Sequence, residues 1–197
     1  MHTIHTTPGF IIDSKPYGEA GKILWIFTRD FGLVVATAQG IRLEKSKLRY
    51  FCQDRSFGEF SLVRGKEYWR LVSASSSEAL WINEAEHRSS EALFARIVLL
   101  LRRLVQGEEA HPELFDHISA LNDFCISGKG LSLDELSVLE SLSVFRILGL
   151  LGYIGTDDDM ASFMPGPAIT KDLLVEASKK RIALNKHINK ALKESHL

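Results

Sequence analysis

The sequence predicts an α+β protein: a small, closed, five-stranded barrel followed by an α-helical bundle. Two observations carry that reading. Short apolar segments, rich in β-branched and aromatic residues, recur from Phe10 to Ala74 with turn residues between them. Strands that short, spaced that closely, close into a barrel more readily than they form an open sheet. After Ser75-Ser76-Ser77 the apolar period changes to three and four residues, the spacing of helices with one buried side. A chain of 197 residues is long enough to bury a proper core as one large or two small domains. The change of period places the boundary at residue 80, giving a barrel domain over 1–80 and a helical domain over 81–197.

The barrel elements follow in order. Phe10-Ile11-Ile12 suits a strand, broken by Lys15-Pro16-Tyr17-Gly18, since proline lacks a donor and glycine permits unusual dihedrals. Ile23 to Thr28 is a second strand, Arg29-Asp30-Phe31-Gly32 a turn and Leu33 to Gln39 a third strand. Phe57 to Val63 alternates, with Phe60 and Leu62 on one side and Glu59 and Ser61 on the other. Arg64-Gly65-Lys66-Glu67 turns the chain into a fifth strand, Tyr68 to Ala74. Gly18-Glu19-Ala20-Gly21-Lys22 is not a nucleotide phosphate loop: Pro16 stands where a glycine is needed and Ile23 where a Ser or Thr should follow the lysine.

In the helical part, Ser90 to Gln106 carries Leu93, Ile97, Leu100, Leu101 and Leu104 at helical spacing, with Gly107 to end it. Pro112 fits a first helical position, followed by an apolar side of Leu114, Ile118, Leu121 and Phe124, and Gly128 and Gly130 end that helix. Ser132-Leu133-Asp134-Glu135 is a capping box. The helix it opens carries Leu136, Leu139, Leu142, Val144, Phe145 and Leu148 almost all round, so it should lie at the centre of a bundle, with Gly149 and Gly152 marking its end. Residues 155–168 read as a loop, and Thr170 caps a penultimate helix. A last helix, from about Lys180 to His196, sets Leu184, Ile188 and Leu192 on one side and Lys179, Lys186, Lys190 and Lys193 on another.

Several functional classes find no support. Cys52 and Cys125 are the only cysteines, far apart, so neither a disulfide framework nor a paired-cysteine zinc site is expected. The seven histidines include no His-Glu-x-x-His, and no Gly-x-Ser-x-Gly occurs. Asp157-Asp158-Asp159 could hold magnesium, but an acidic run in a loop is more often solvated. We therefore expect no catalytic residues, no cofactor and no metal. No apolar run is longer than Ile97 to Leu101, far short of a membrane span, and the N-terminus lacks the pattern of a signal peptide, so a cytoplasmic location is expected.

The charge points elsewhere. The net charge of −1 hides a division: residues 1–80 hold eleven Lys and Arg against eight Asp and Glu, a balance of +3, which leaves −4 for the remainder. Arg42, Lys45, Lys47 and Arg49 crowd into Gly40–Gln53 with one acid, Glu44, and with Tyr50 and Phe51 directly after them. Cations neutralise phosphates and flat rings offer faces on which unstacked bases settle. A solvated basic loop whose aromatics plug a core would look the same. The lysines Lys186, Lys190 and Lys193 share one helical face, either as an extension of such a path or as a solvated surface.

Tyr17-Gly18-Glu19-Ala20-Gly21-Lys22-Ile23-Leu24, then Phe27-Thr28-Arg29-Asp30-Phe31-Gly32-Leu33-Val34, then Gly40 with Lys45-Ser46-Lys47-Leu48-Arg49, resemble the RecO family of bacterial DNA-repair proteins in order and spacing. Phe145-Arg146-Ile147-Leu148-Gly149-Leu150-Leu151-Gly152-Tyr153 also resembles the family, in the segment that in many relatives precedes a four-cysteine zinc module; here Thr156 to Pro167 stands in its place. The resemblance implies an N-terminal OB-fold barrel that binds DNA and a helical domain without zinc. It implies a non-catalytic recombination mediator that binds single- and double-stranded DNA and anneals strands. A RecR-like protein and single-strand DNA-binding protein are the implied partners, with RecA served indirectly, in a bacterial cytoplasm at the nucleoid. The candidate DNA-binding set is Lys22, Arg29, Arg42, Lys45, Lys47, Arg49, Tyr50, Arg70, Lys186, Lys190 and Lys193. The competing expectation is a protein-interaction adaptor whose barrel does not itself bind DNA.

Overall fold

Five strands form where the apolar segments fall. The computed structural model describes residues 3–76, 88–127, 130–155, 160–164, 166 and 168–194. Strands β1 (Ile4–Tyr17), β2 (Gly21–Thr28), β3 (Gly32–Ala38), β4 (Phe57–Arg64) and β5 (Trp69–Ser76) close in the order β1-β2-β3-β5-β4. Every neighbouring pair is antiparallel except β3 with β5. This is the OB-fold barrel. Alternation decides its inside: Leu24, Ile26, Val34, Ala36, Phe60 and Leu62 are fully buried and pack with Ile11, Trp69 and Leu71. Cutting Phe60 to Ala would cost about 3–5 kcal/mol, the range for a large core ring.

Strand β1 runs further than the sequence suggests. Lys15-Pro16-Tyr17 does not break it; these residues pair with Ile23, Lys22 and Gly21, and the turn falls at Gly18, whose φ is +59°. The ladder between β1 and β4 stops at Phe10, and the last backbone bonds on that side are Ile11 N–H to the Ser56 carbonyl at 3.0 Å and Arg55 N–H to the Ile11 carbonyl at 2.7 Å, five residues short of Pro16. Proline is tolerated on such an edge because a missing donor orphans nothing. A bulge between Ile11 and Asp13 marks the change.

Helices α2 (Arg88–Leu104), α3 (Pro112–Ser127), α4 (Leu133–Leu150), α5 (Lys171–Lys179) and α6 (Arg181–Glu194) follow, with a short 3₁₀ turn at Ala161–Phe163. The one-turn helix inside the basic stretch, Leu48–Phe51, is numbered α1. The capping box is complete: Ser132 Oγ accepts from the Glu135 N–H at 3.2 Å, and Glu135 accepts from the Ser132 N–H at 2.8 Å. Thr170 caps α5 by accepting from the Leu173 N–H. Helix α4 is buried along Leu136, Leu139, Leu142, Phe145, Ile147 and Leu148. Gly149 lies inside α4 rather than ending it, and a Cβ there would collide with the Met164 side chain. Gly128, Asp157–Asp159 and His196 lie outside the described residues.

The chain forms two compact units. One is Met1–Leu80 with Val98–Phe115; the other is Trp81–Ile97 with Asp116–Leu197. In the first, Val98–Phe115 covers the outward face of β1 to β3. Phe115 packs against Phe10 and Phe27, with ring centroids 5.4 and 5.7 Å away. The Leu33 N–H donates to the Gly107 carbonyl at 3.0 Å. Gly32 has φ +65° and lies so close to the Glu109 backbone that any side chain would overlap it, which requires glycine twice over.

In the second unit a buried polar cluster sits on α3 and α4. Arg146, 2% exposed, donates from Nε to the Phe163 carbonyl at 2.7 Å and from Nη1 to the Ala168 carbonyl at 3.3 Å. It thereby ties the segment after α4 to that helix. Burial, and then the nearby Arg146 charge, push the His117 pKa down to about 3, so its imidazole is neutral in the fold.

Candidate nucleic-acid interface

The basic stretch is held at both ends by apolar residues it sends into the barrel. Ile41 and Cys52 are each 2% exposed in the core, and Leu48 and Phe51 pack against that core. In α1, Leu48, Phe51 and Cys52 are three and four residues apart, so they face inward together, and Arg49 and Tyr50 must face out. The two aromatics therefore divide: Phe51 plugs the core, whereas Tyr50 is 65% exposed. Burial pushes the Cys52 thiol up to about 12, so it is a core filler and not a nucleophile.

The backbone between these anchors is pinned turn by turn. The Arg42 N–H donates to the Ala20 carbonyl at 2.9 Å, Leu43 N–H to Gly40 at 3.1 Å, and Ser46 N–H to Leu43 at 3.0 Å. Ser56 Oγ closes the far end on the Phe51 carbonyl at 2.9 Å. From this frame Arg42, Lys45, Lys47 and Arg49 project as exposed side chains. Among the described residues no ion pair engages any of the four. Leu43 projects with them, 57% exposed, and sequence reasoning passed over it. Its only signal was an apolar residue between Arg42 and Glu44 in a charged run.

Ladder registers place the other expected residues. Lys22 pairs with Ala38, at the strand end from which the basic stretch leaves, and its Nζ donates to Ser14 Oγ at 3.2 Å. Exposed Arg70 lies opposite Thr37, one residue from the same end. Lys22, Arg70 and the loop thus share one end of the barrel. Arg29 does not: it stands beyond the far end of β2, seven residues and roughly 23 Å along the strand from Lys22. In the helical unit, Lys186, Lys190 and Lys193 are exposed on α6, while Leu184 and Ile188 are buried.

Three other cations of the barrel unit are already engaged. Arg102 pairs with Asp13 and lies 5.0 Å from the centroid of the Trp25 ring, with Lys15 5.2 Å from the same ring. Arg64 lies 5.3 Å from the Trp69 ring and pairs with Glu108 at 3.0 Å. Glu108 also accepts from Trp69 Nε1 at 2.9 Å. Trp25, Arg102 and Glu108 also line a cavity of about 380 Å³, with Val35 and Tyr68 among others. Among the described residues no three His, Cys, Asp or Glu side chains gather to hold a metal, and no helix is long and apolar enough to cross a membrane.

Comparison with known proteins gives this geometry a family. Residues 1–79, the barrel strands and the basic stretch, match the family model "Recombination protein O N terminal". The chain is similar to the DNA repair protein RecO of Clostridium novyi, 26% identical over 150 residues, covering 75% of this chain and 57% of that protein. It is 27% identical over 150 residues to that of Bacillus mycoides, covering 75% and 58%. It is 32% identical over 126 residues to that of Ralstonia nicotianae, covering 61% of this chain and 44% of the relative. The matches thus span about half the length of these relatives. An OB-fold barrel of this topology, the match over its whole length and similarity that runs on into the helices lead to one statement: residues 1–79 match the RecO N-terminal family, and the chain is similar to RecO proteins beyond them.

Proposed function

We propose that this protein is a DNA-binding recombination mediator acting in DNA repair. It holds single and double strands through the basic end of its barrel, anneals complementary single strands, and helps load a RecA-type recombinase onto DNA coated by single-strand DNA-binding protein, with a RecR-like partner. It acts in the cytoplasm and without catalysis of its own. The observation that carries the reading is the pinned loop presenting Arg42, Lys45, Lys47 and Arg49, unpaired among the described residues, beside exposed Tyr50. Such a surface neutralises phosphates without reading sequence.

The test is a salt series of binding to a labelled oligonucleotide. Affinity should fall linearly on a log–log plot, with a slope of about −0.7 for each single-strand phosphate neutralised. One observation favours a second reading, a protein-interaction adaptor. The outward face of β2 and β3, by which OB-folds usually take oligonucleotides, lies under Val98–Phe115 here. Absence of any salt-sensitive oligonucleotide binding would decide for the adaptor.

A further inference from the structure

The geometry points to Leu43, acting with Tyr50, as the device that makes the basic loop prefer single-stranded nucleic acid, whose bases can splay, over intact duplex. This rests on the nucleic-acid reading above and adds to it a residue that selects strand type.

Four cations alone do not discriminate, because single strands and duplexes both offer phosphates. What differs is the availability of base faces. Leu43 is a large apolar side chain left 57% exposed in a stretch that places Ile41, Leu48, Phe51 and Cys52 in or against the barrel core. Its position is not loose. Leu43 stands at the joint of two successive turns, its N–H given to Gly40 and its carbonyl receiving the Ser46 N–H. Gly40, at φ +65°, sets the first turn. The backbone entropy of presenting an apolar tip is therefore already spent on folding, which favours binding.

Proteins wedge leucine between duplex base steps only at the cost of unstacking them, a cost that splayed single-strand bases do not carry, and an exposed tyrosine ring is a stacking platform. Arg42 directly precedes Leu43, Lys45 follows it one residue beyond Glu44, and Arg49 precedes Tyr50, so phosphates held by the cations bring bases to the two tips. An anionic membrane would also meet cations and apolar tips. Two side chains bury too few methylenes to anchor there, at about 0.8 kcal/mol each, so nucleic acid is the occupant we commit to.

The experiment compares the wild type with Leu43→Ser, Tyr50→Ala and the double variant. Each is titrated against a fluorescent thymidine oligonucleotide, a duplex of equal length and phosphatidylglycerol vesicles. Both residues are surface groups, and an unchanged melting temperature confirms folding. Each single variant should lose about tenfold in single-strand affinity, within the range for one stacked base, with duplex affinity unchanged within about twofold. Leu43→Met should bind like the wild type. A 2-aminopurine base in the oligonucleotide should brighten on binding the wild type and less so with the double variant. Equal losses on single strand and duplex, no loss on either, or dependence on Leu43 only with vesicles would each overturn the inference. A wild type that binds neither nucleic acid would instead overturn the proposed function beneath it.

Discussion

The barrel unit carries two groups of cations that composition cannot tell apart and structure separates. Lys15, Arg64 and Arg102 are committed to Trp25, Trp69, Asp13 and Glu108, and the Arg64 and Arg102 contacts tie Val98–Phe115 to the barrel. Arg42, Lys45, Lys47 and Arg49 have no ion-pair partner among the described residues and leave a backbone that is itself tied down. A site for a polyanion needs charge that is not already neutralised. The comparison shows that local pairing, not local count, separates the two groups. The lysines of α6 are an intermediate case: exposed, but on a helix whose own sequence holds no Phe, Tyr or Trp.

The largest effect should come from the free group. Changing Lys45, Lys47 and Arg49 together to Ala should weaken oligonucleotide binding roughly a hundredfold at about 0.1 M salt and make the log–log salt slope shallower by about 2. Loss should be uniform across sequences. Unchanged affinity in the folded triple variant would erase the distinction between the two groups.

A pH series guards that measurement against unfolding. The folded-state pKa of His117, about 3, lies below its unfolded value near 6.5, so its neutral burial contributes full stability above pH 6.5. That contribution is lost progressively as pH falls from 6.5 towards 3, on the order of 1 kcal/mol per pH unit. Denaturant melts should show the loss in wild type and a flatter profile in His117→Phe. DNA contacts made by lysine and arginine do not weaken with acid, so binding lost below pH 6.5 should track the melts.

The committed group should affect stability and not binding. Glu108→Ala orphans Trp69 Nε1 and frees Arg64, and should cost about 1–3 kcal/mol, lowering the melting temperature by several degrees. The Arg64 pair itself is partly exposed and adds little. Oligonucleotide affinity should stay within about twofold; a tenfold gain would show that DNA runs over the outer face instead.

The smallest effect belongs to α6. Replacing Lys186, Lys190 and Lys193 by Gln should leave short-oligonucleotide affinity nearly unchanged, and slower annealing of long complementary strands is the outcome that would raise this stripe above a solvated surface.

Sequence alone determined the parts that depend on neighbours in the chain. Alternation at Glu59–Leu62, the turn at Arg29–Gly32, the Ser132 capping box and the Thr170 cap are local patterns with local physics, and each forms as read. The density of cations in Gly40–Gln53 and the basic balance of residues 1–80 were equally plain. What only the tertiary structure decided were matters of who meets whom. No pattern in Val98–Phe115 announces that it returns to cover β1 to β3, because an apolar helix face fits any apolar partner. Pairing of Arg64 and Arg102, freedom of Lys45 and Arg49, removal of Arg29 to the far end of the hairpin, and exposure of Leu43 beside buried Ile41 all follow from barrel closure. Closure joins residues distant in sequence, and the identity of a side chain does not encode that partner.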